Sequence, residues 1–95
     1  MAKASLNNVV LAESSHTERV EGNHYFPPNA INKAHFKPSS TQTRCPWKGL
    51  ANYYDVEVEG TVIKDAAWYY PEPNDAAKSI KDHVAFYAGK VQVEG

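Results

Sequence analysis

Cysteine is nearly absent from this chain. Cys45 is the only one, so no disulfide closes within it and no multi-cysteine zinc site forms. A single thiol fits a reducing compartment. Long apolar runs are absent too, and nothing approaches the roughly 18 residues that a membrane-spanning helix needs. Positive charge is not in excess: 10 Lys and Arg stand against 11 Asp and Glu, for a net charge of −1. No basic stripe is left to follow a nucleic-acid backbone. The Gly-x-x-x-x-Gly-Lys-[Ser/Thr] spacing of a phosphate-binding loop is missing. The histidines stand singly, at 16, 24, 35 and 83, without the clustering that a metal site requires. The opening stretch, Met1 to Asn7, holds no apolar signal core. These absences predict a cytoplasmic protein with no metal, no cofactor, no nucleic acid and no membrane partner. A monomer is the expected state.

What is present describes a folded globule. Hydrophobic residues make up 42% and charged residues 22%. At 95 residues the chain forms one domain, near the low end of what folds on an ordinary core. Residues 1–8 are polar and without pattern, and are expected as a disordered tail; residues 9–95 are expected as a single β domain.

Residues 9–12 are a short apolar run, read as a strand that turns at Ser14 and pairs back with residues 17–20. Glu21-Gly22-Asn23 signals a turn. His24-Tyr25-Phe26 reads as an aromatic strand, stopped by Pro27 and Pro28. Asn29 caps one or two helical turns over residues 30–35. Residues 37–42 read as a loop by composition, and residues 43–45 as a brief strand. The clearest periodicity follows. Tyr54, Val56 and Val58 alternate with Tyr53, Asp55, Glu57 and Glu59, the period of a half-buried antiparallel strand. Glu59-Gly60 reads as its hairpin turn. Residues 66–70 form a second aromatic strand, ended by Pro71. Asn74 or Asp75 caps a short helix over residues 76–82. Residues 83–87 are a strand, Ala88-Gly89 a turn, and Val91 and Val93 alternate on the return.

One stretch concentrates the unusual residues: Thr43-Arg44-Cys45-Pro46-Trp47-Lys48-Gly49-Leu50-Ala51-Asn52-Tyr53-Tyr54. Its Thr-x-Cys-Pro-aromatic-Lys-Gly-x-Ala-x-Tyr-Tyr core resembles the signature of the domain of unknown function 427 family, loosely labelled a nucleotidyltransferase. Further pieces match in order: Val10-Leu11-Ala12-Glu13-Ser14, Tyr25-Phe26-Pro27-Pro28, Ala66-Ala67-Trp68-Tyr69-Tyr70-Pro71 with Pro73, and Val84-Ala85-Phe86-Tyr87. The resemblance covers nearly the whole chain. It implies a mainly β, compact, two-sheet antiparallel domain. That fold is tent-like, similar to methionine sulfoxide reductase B and to zinc-binding exchange-factor domains, with one or two short helices. It implies no known reaction, and it implies an acid at the position of Glu13.

Cys45 is a candidate nucleophile or redox thiol, because Lys48 or Arg44 beside it would favour the thiolate. The alternative is a buried small hydrophobe at a strand end, a common fate of free cysteine. Lys48, between Trp47 and Gly49, can offer an ammonium to a phosphate or carboxylate, or simply lay its stem over a ring. Glu13 ends an apolar strand, where its carboxylate can pair with Lys48 or Arg44, or stand exposed. Aromatics are abundant, at 12%. Some must fill the core; Tyr25, Trp47, Tyr53, Trp68 and Tyr70, with Lys48, are the expected lining of a pocket. Three functions follow. The favoured one is binding of a small molecule in an aromatic-lined pocket by the loop of residues 45–54. The second is a small enzyme of transferase or hydrolase type using Cys45, Lys48 and Glu13. The third is a protein-interaction module.

Overall fold

Three two-residue hairpins set the architecture. Asn7-Asn8, Glu21-Gly22 and Glu59-Gly60 hold positive φ at both positions, 51° and 66°, 53° and 82°, and 50° and 81°. A type I′ loop needs that backbone, and its twist matches that of the flanking strands. The loops join β1 (Ala2–Leu6) to β2 (Val9–Ser14), β3 (Glu18–Val20) to β4 (Asn23–Tyr25), and β6 (Gly49–Val58) to β7 (Thr61–Tyr69). The other strands are β5 (Phe36–Cys45), β8 (Val84–Phe86) and β9 (Gln92–Glu94). The computed structural model describes residues 1–95.

The main sheet runs in the order β5-β6-β7-β8, and a smaller one in the order β2-β1-β9. All strand pairs are antiparallel. The β3–β4 hairpin is stitched to the free edge of β8. There the Phe26 N–H donates to Val84 O at 2.8 Å and the Val84 N–H to Phe26 O at 2.9 Å. The domain is therefore mainly antiparallel β, as its alternation predicts, with the hairpin as an extension of the larger sheet.

The pleat of the main sheet sends alternate residues to two cores. On one face Val56, Val58, Ala67, Val84, Phe86 and Phe26 pack on Ala2, Ala4, Leu11, Ala12 and Val91 of the smaller sheet. On the other, Ala51, Tyr53, Trp68, Tyr70, Ala85 and Tyr25 gather over Ala77 and Ile80. Neighbours such as Tyr25 and Phe26, or Ala85 and Phe86, thus enter different cores, as a period of two requires. Leu11 and Ile80 are fully buried, which is worth roughly 1.5–3 kcal/mol each.

Register shifts bend the sheets where polar groups can hold them. In β2, Leu11 is the extra residue between the Ala4–Ala12 and Ser5–Val10 pairs, so Leu11 and Ala12 are buried in succession. Between β6 and β7 the pairing jumps from Tyr54–Ala67 to Val56–Ile63, leaving Lys64-Asp65-Ala66 as a bulge opposite Asp55. The Asp55 carboxylate accepts the Asp65 N–H and a Lys64 Nζ–H, both at 2.8 Å. Asp65 in turn accepts the hydroxyls of Ser39 at 2.5 Å and Thr41 at 2.8 Å. The irregular part of β5, between Pro38 and Gln42, is thereby tied to the bulge of β7.

Several expectations are corrected. Residues 1–8 are no disordered tail: β1 is the middle strand of the smaller sheet, and Ala4 is fully buried. Its buried side chains are Ala2, Ala4 and Ser5, so the strand carries little hydrophobic signal. β2 pairs with β1 rather than with residues 17–20, and β9 also returns to β1 rather than to β8. The expected loop at residues 37–42 lies within β5. The expected short helices are 3-10 turns at Pro28–Ala30, Lys33–His35 and Asp75–Ile80. The first two bury no residue, so no packing supports a longer helix there.

Candidate functional site

The second face of the main sheet gathers tyrosine and tryptophan rings linked by hydrogen bonds. β4 delivers Tyr25 and β7 delivers Trp68; the indole N–H donates to the Tyr25 hydroxyl at 3.1 Å, with the rings edge-on at 6.2 Å. β6 delivers Tyr53, whose hydroxyl is bonded to that of Thr43 at 2.9 Å and to that of Tyr87 at 3.3 Å. The Tyr53 and Tyr87 rings stack, and Tyr87 lies 4.6 Å from Trp68. Tyr70 follows β7 on the same face. Tyr25, Tyr53, Trp68 and Tyr70 are buried, whereas Trp47 and Tyr87 remain 41% and 39% exposed. Burial pushes the Tyr70 phenol up to about 12. The bond from Tyr53, then burial, raises Tyr87 to about 12.

The loop between β5 and β6 brings a cation to these rings. Cys45 pairs with Gly49 across the turn, and Gly49 adopts φ 117°, which an L side chain rarely permits. Asn74 clamps the loop from outside: its backbone N–H donates to Lys48 O at 2.9 Å, and its side-chain amide donates to Trp47 O at 3.3 Å. Lys48 is then folded inward, 6% exposed, with its ammonium 5.3 Å from the Trp47 ring centroid and 5.7 Å from that of Tyr70. Its counter-ion is Glu21, at the tip of the β3–β4 hairpin. One Glu21 oxygen accepts from Lys48 Nζ and the other from Trp47 Nε1 at 3.4 Å. Burial is the largest single influence and disfavours the ammonium, yet the Glu21 bond together with the neighbouring Tyr25, Tyr70 and Glu21 charges outweighs it and sets the Lys48 pKa above its ordinary value. Glu21 is held below the usual carboxylate range, first by that same bond.

The family described as a domain of unknown function (DUF427), designated NTP_transf_9, matches residues 1–95. The chain belongs to the DUF427 family. No curated protein matches it.

The DUF427 fold brings most of the expected residues together. Tyr25, Tyr53, Trp68 and Tyr70 share one cluster, Trp47 and Lys48 adjoin it, and half-buried Cys45 packs on its edge. Glu13 stands apart. It is exposed on β2 opposite Lys3, in the other sheet, and the carboxylate on Lys48 is Glu21 instead. No histidine attends Cys45: His24 is bonded to Thr17 at 2.7 Å, His35 to Glu57 O at 3.0 Å and His83 to Lys81 O at 2.8 Å. No three His, Cys, Asp or Glu side chains are gathered as for a metal ion, and no helix is long and apolar enough to cross a membrane.

The aromatic cluster of the DUF427 domain is closed rather than hollow. Its two open cavities lie elsewhere. One, about 370 Å³, adjoins the same loop but is polar, lined among others by Gln42, Arg44, Asn52 and Glu72. The other, about 330 Å³, includes Arg19, His24 and Phe86. Glu21 is the residue that sequence reasoning missed. Its signal was the Glu-Gly turn four residues before Tyr25, which folds the hairpin tip back toward the loop.

Proposed function

We propose that this DUF427 domain binds a small planar molecule at the aromatic face beside the loop of residues 45–54. The observation that supports the reading is convergence. Tyr25, Tyr53, Trp68 and Tyr70 come from β4, β6 and the end of β7, yet form one buried cluster, with the Lys48 ammonium beside the Tyr70 ring and Trp47 exposed next to it. Tyr and Trp supply an apolar wall with polar handles, the usual composition of a small-molecule site. Entry requires the Glu21 hairpin tip and Trp47 to swing outward, since both are exposed and cover Lys48. The reading places the domain in the cytoplasm as a monomer, in keeping with its lone free thiol.

A heteronuclear NMR titration of the labelled protein tests this, against planar aromatics, nucleotides and small carboxylates. Shifts are expected at Trp47, Lys48, Tyr53 and the Trp68 indole. Trp47→Ala should abolish them while leaving the fold intact, because Trp47 is exposed and Trp68 is not. A well-dispersed spectrum that moves with no compound overturns the reading.

A further inference from the structure

We infer that the ligand of this face carries an oxyanion, and that Glu21 occupies the place of that oxyanion until a ligand displaces it. The inference rests on the small-molecule reading above and names the class of molecule.

The ion pairs of the domain differ in kind. In Lys64–Asp55 the carboxylate side chain is 11% exposed and the ammonium side chain 75%, and the carboxylate also holds a backbone N–H. That pair is a staple within the sheet. Lys3–Glu94 and Lys37–Glu57 each reach water through both side chains, at least a third exposed, and contribute little. Lys48–Glu21 is the reverse of the staple: the cation's side chain is 8% exposed and the anion's side chain 53%. The receptor half is fixed and built into the fold. The anion half is offered from the end of a two-residue turn, half in water.

A buried ammonium needs a partner, because leaving it unpaired in a desolvated site is costly. The partner need not be Glu21. Lys48 Nζ and Trp47 Nε1 present two donors to the two oxygens of one carboxylate, and any carboxylate or phosphate meets the same pair. The Trp47 and Tyr70 rings beside the ammonium give the planar remainder of such a ligand its stacking surface. An internal carboxylate in that place lowers the affinity for any external anion by competition, and it explains why the face is closed in the free protein.

Calorimetric titration of wild-type protein and Glu21→Gln with phenylacetate, phenyl phosphate and neutral phenylacetamide tests the inference. The anions should bind Glu21→Gln at least about ten-fold more tightly than wild type, and phenylacetamide should bind both equally. Lys48→Met should remove the preference for anions. A preference for phenyl phosphate over phenylacetate, or the opposite, identifies which oxyanion the site takes. If phenylacetamide binds and the anions gain nothing from Glu21→Gln, the oxyanion inference is overturned and the small-molecule reading stands. If none of the three binds either protein, both fall. Should Glu21→Gln unfold, wild type carries the test: the Glu21 carboxyl carbon must shift to that of a free carboxylate when phenyl phosphate binds, and an unmoved signal in the complex overturns the inference.

Discussion

The carboxylate of Asp55 receives the backbone N–H of Asp65 at 2.8 Å across a register shift, so a side chain of β6 supplies the hydrogen bond that the bulged β7 cannot obtain from its ladder. Asp55 is 8% exposed, and Asp65 sits at φ 52°, a backbone that needs such support. Asp55→Ala leaves that N–H without its acceptor and should destabilise the domain by about 1–3 kcal/mol. Urea denaturation measures this; a loss below the error of the method would show that water replaces the carboxylate.

Both aspartates also set a pH dependence. The bond from Lys64 holds Asp55 below its ordinary value, and the bonds from Ser39 and Thr41 do the same for Asp65. A depressed folded pKa binds protons less well than the unfolded chain does. The stabilisation is therefore complete above the ordinary value of 3.8 and is lost as pH falls through the lower folded values. Stability should drop on acidification below about pH 4, and the drop should be shallower in Asp55→Asn. Equal slopes in the two proteins would remove Asp55 from the explanation.

Tyr25 and Trp68 form a buried donor–acceptor pair, which makes a double-mutant cycle informative. Tyr25→Phe orphans the Trp68 indole N–H and should cost about 1–3 kcal/mol. Trp68→Phe removes the donor as well as volume. The double variant should be less destabilised than the sum of the singles, by about 0.5–3 kcal/mol of coupling. Additive losses would mean that the bond contributes nothing and the rings matter only as packing.

The sequence was legible where structure is local. Tyr54, Val56 and Val58 do face one core and Tyr53 the other, because the alternation of one strand is written in consecutive residues. Glu59-Gly60 does turn the chain, because a two-residue hairpin depends on its own backbone. β1 was not legible. Ala2 and Ala4 are core residues only because β2 and β9 flank them, and small side chains carry little periodicity. Membership of the cluster was largely legible, since Tyr and Trp stand on alternating strands. Its counter-ion was not. Glu21 reaches Lys48 across 27 residues of sequence, whereas Glu13 merely ends a recognisable strand. A local pattern cannot rank two carboxylates whose distances to one lysine are fixed by the path of the whole chain.

The phenols give a prediction at alkaline pH. Burial raises Tyr54 to about 12 and Tyr70 to about 12, and Tyr87 reaches about 12 mainly through its bond to Tyr53. The unfolded chain loses these protons near 10. A raised folded pKa leaves stability intact below the unfolded value and lets it decline as pH rises toward the folded one. Stability should therefore fall between about pH 10 and 12. The ultraviolet phenolate titration of the folded protein should extend toward pH 12, about two units beyond that of the urea-unfolded chain. Coincident curves would show that these hydroxyls stay in contact with water.

Gly49 and Gly60 both carry positive φ but should respond differently to substitution. Gly60 lies at 81° with nothing within 4 Å of an added Cβ, close to the left-handed region that Asn tolerates. Gly49 lies at 117°, beyond that region, and an added Cβ would meet Glu72 O at 3.4 Å and Asn74 N at 3.5 Å. Those contacts are ordinary in themselves, so the strain at position 49 comes from the backbone, about 1–3 kcal/mol. Gly60→Asn should cost less than about 1 kcal/mol. Relief at position 49 requires a backbone rotation that pulls Lys48 O from Asn74 and withdraws the ammonium from Glu21. Gly49→Ala should thus lower the melting temperature more than Gly60→Asn does, and it alone should move the Lys48 and Glu21 side-chain resonances. Equal melting temperatures, with Lys48 unmoved in both variants, would mean that the loop accommodates the strain without disturbing the ion pair.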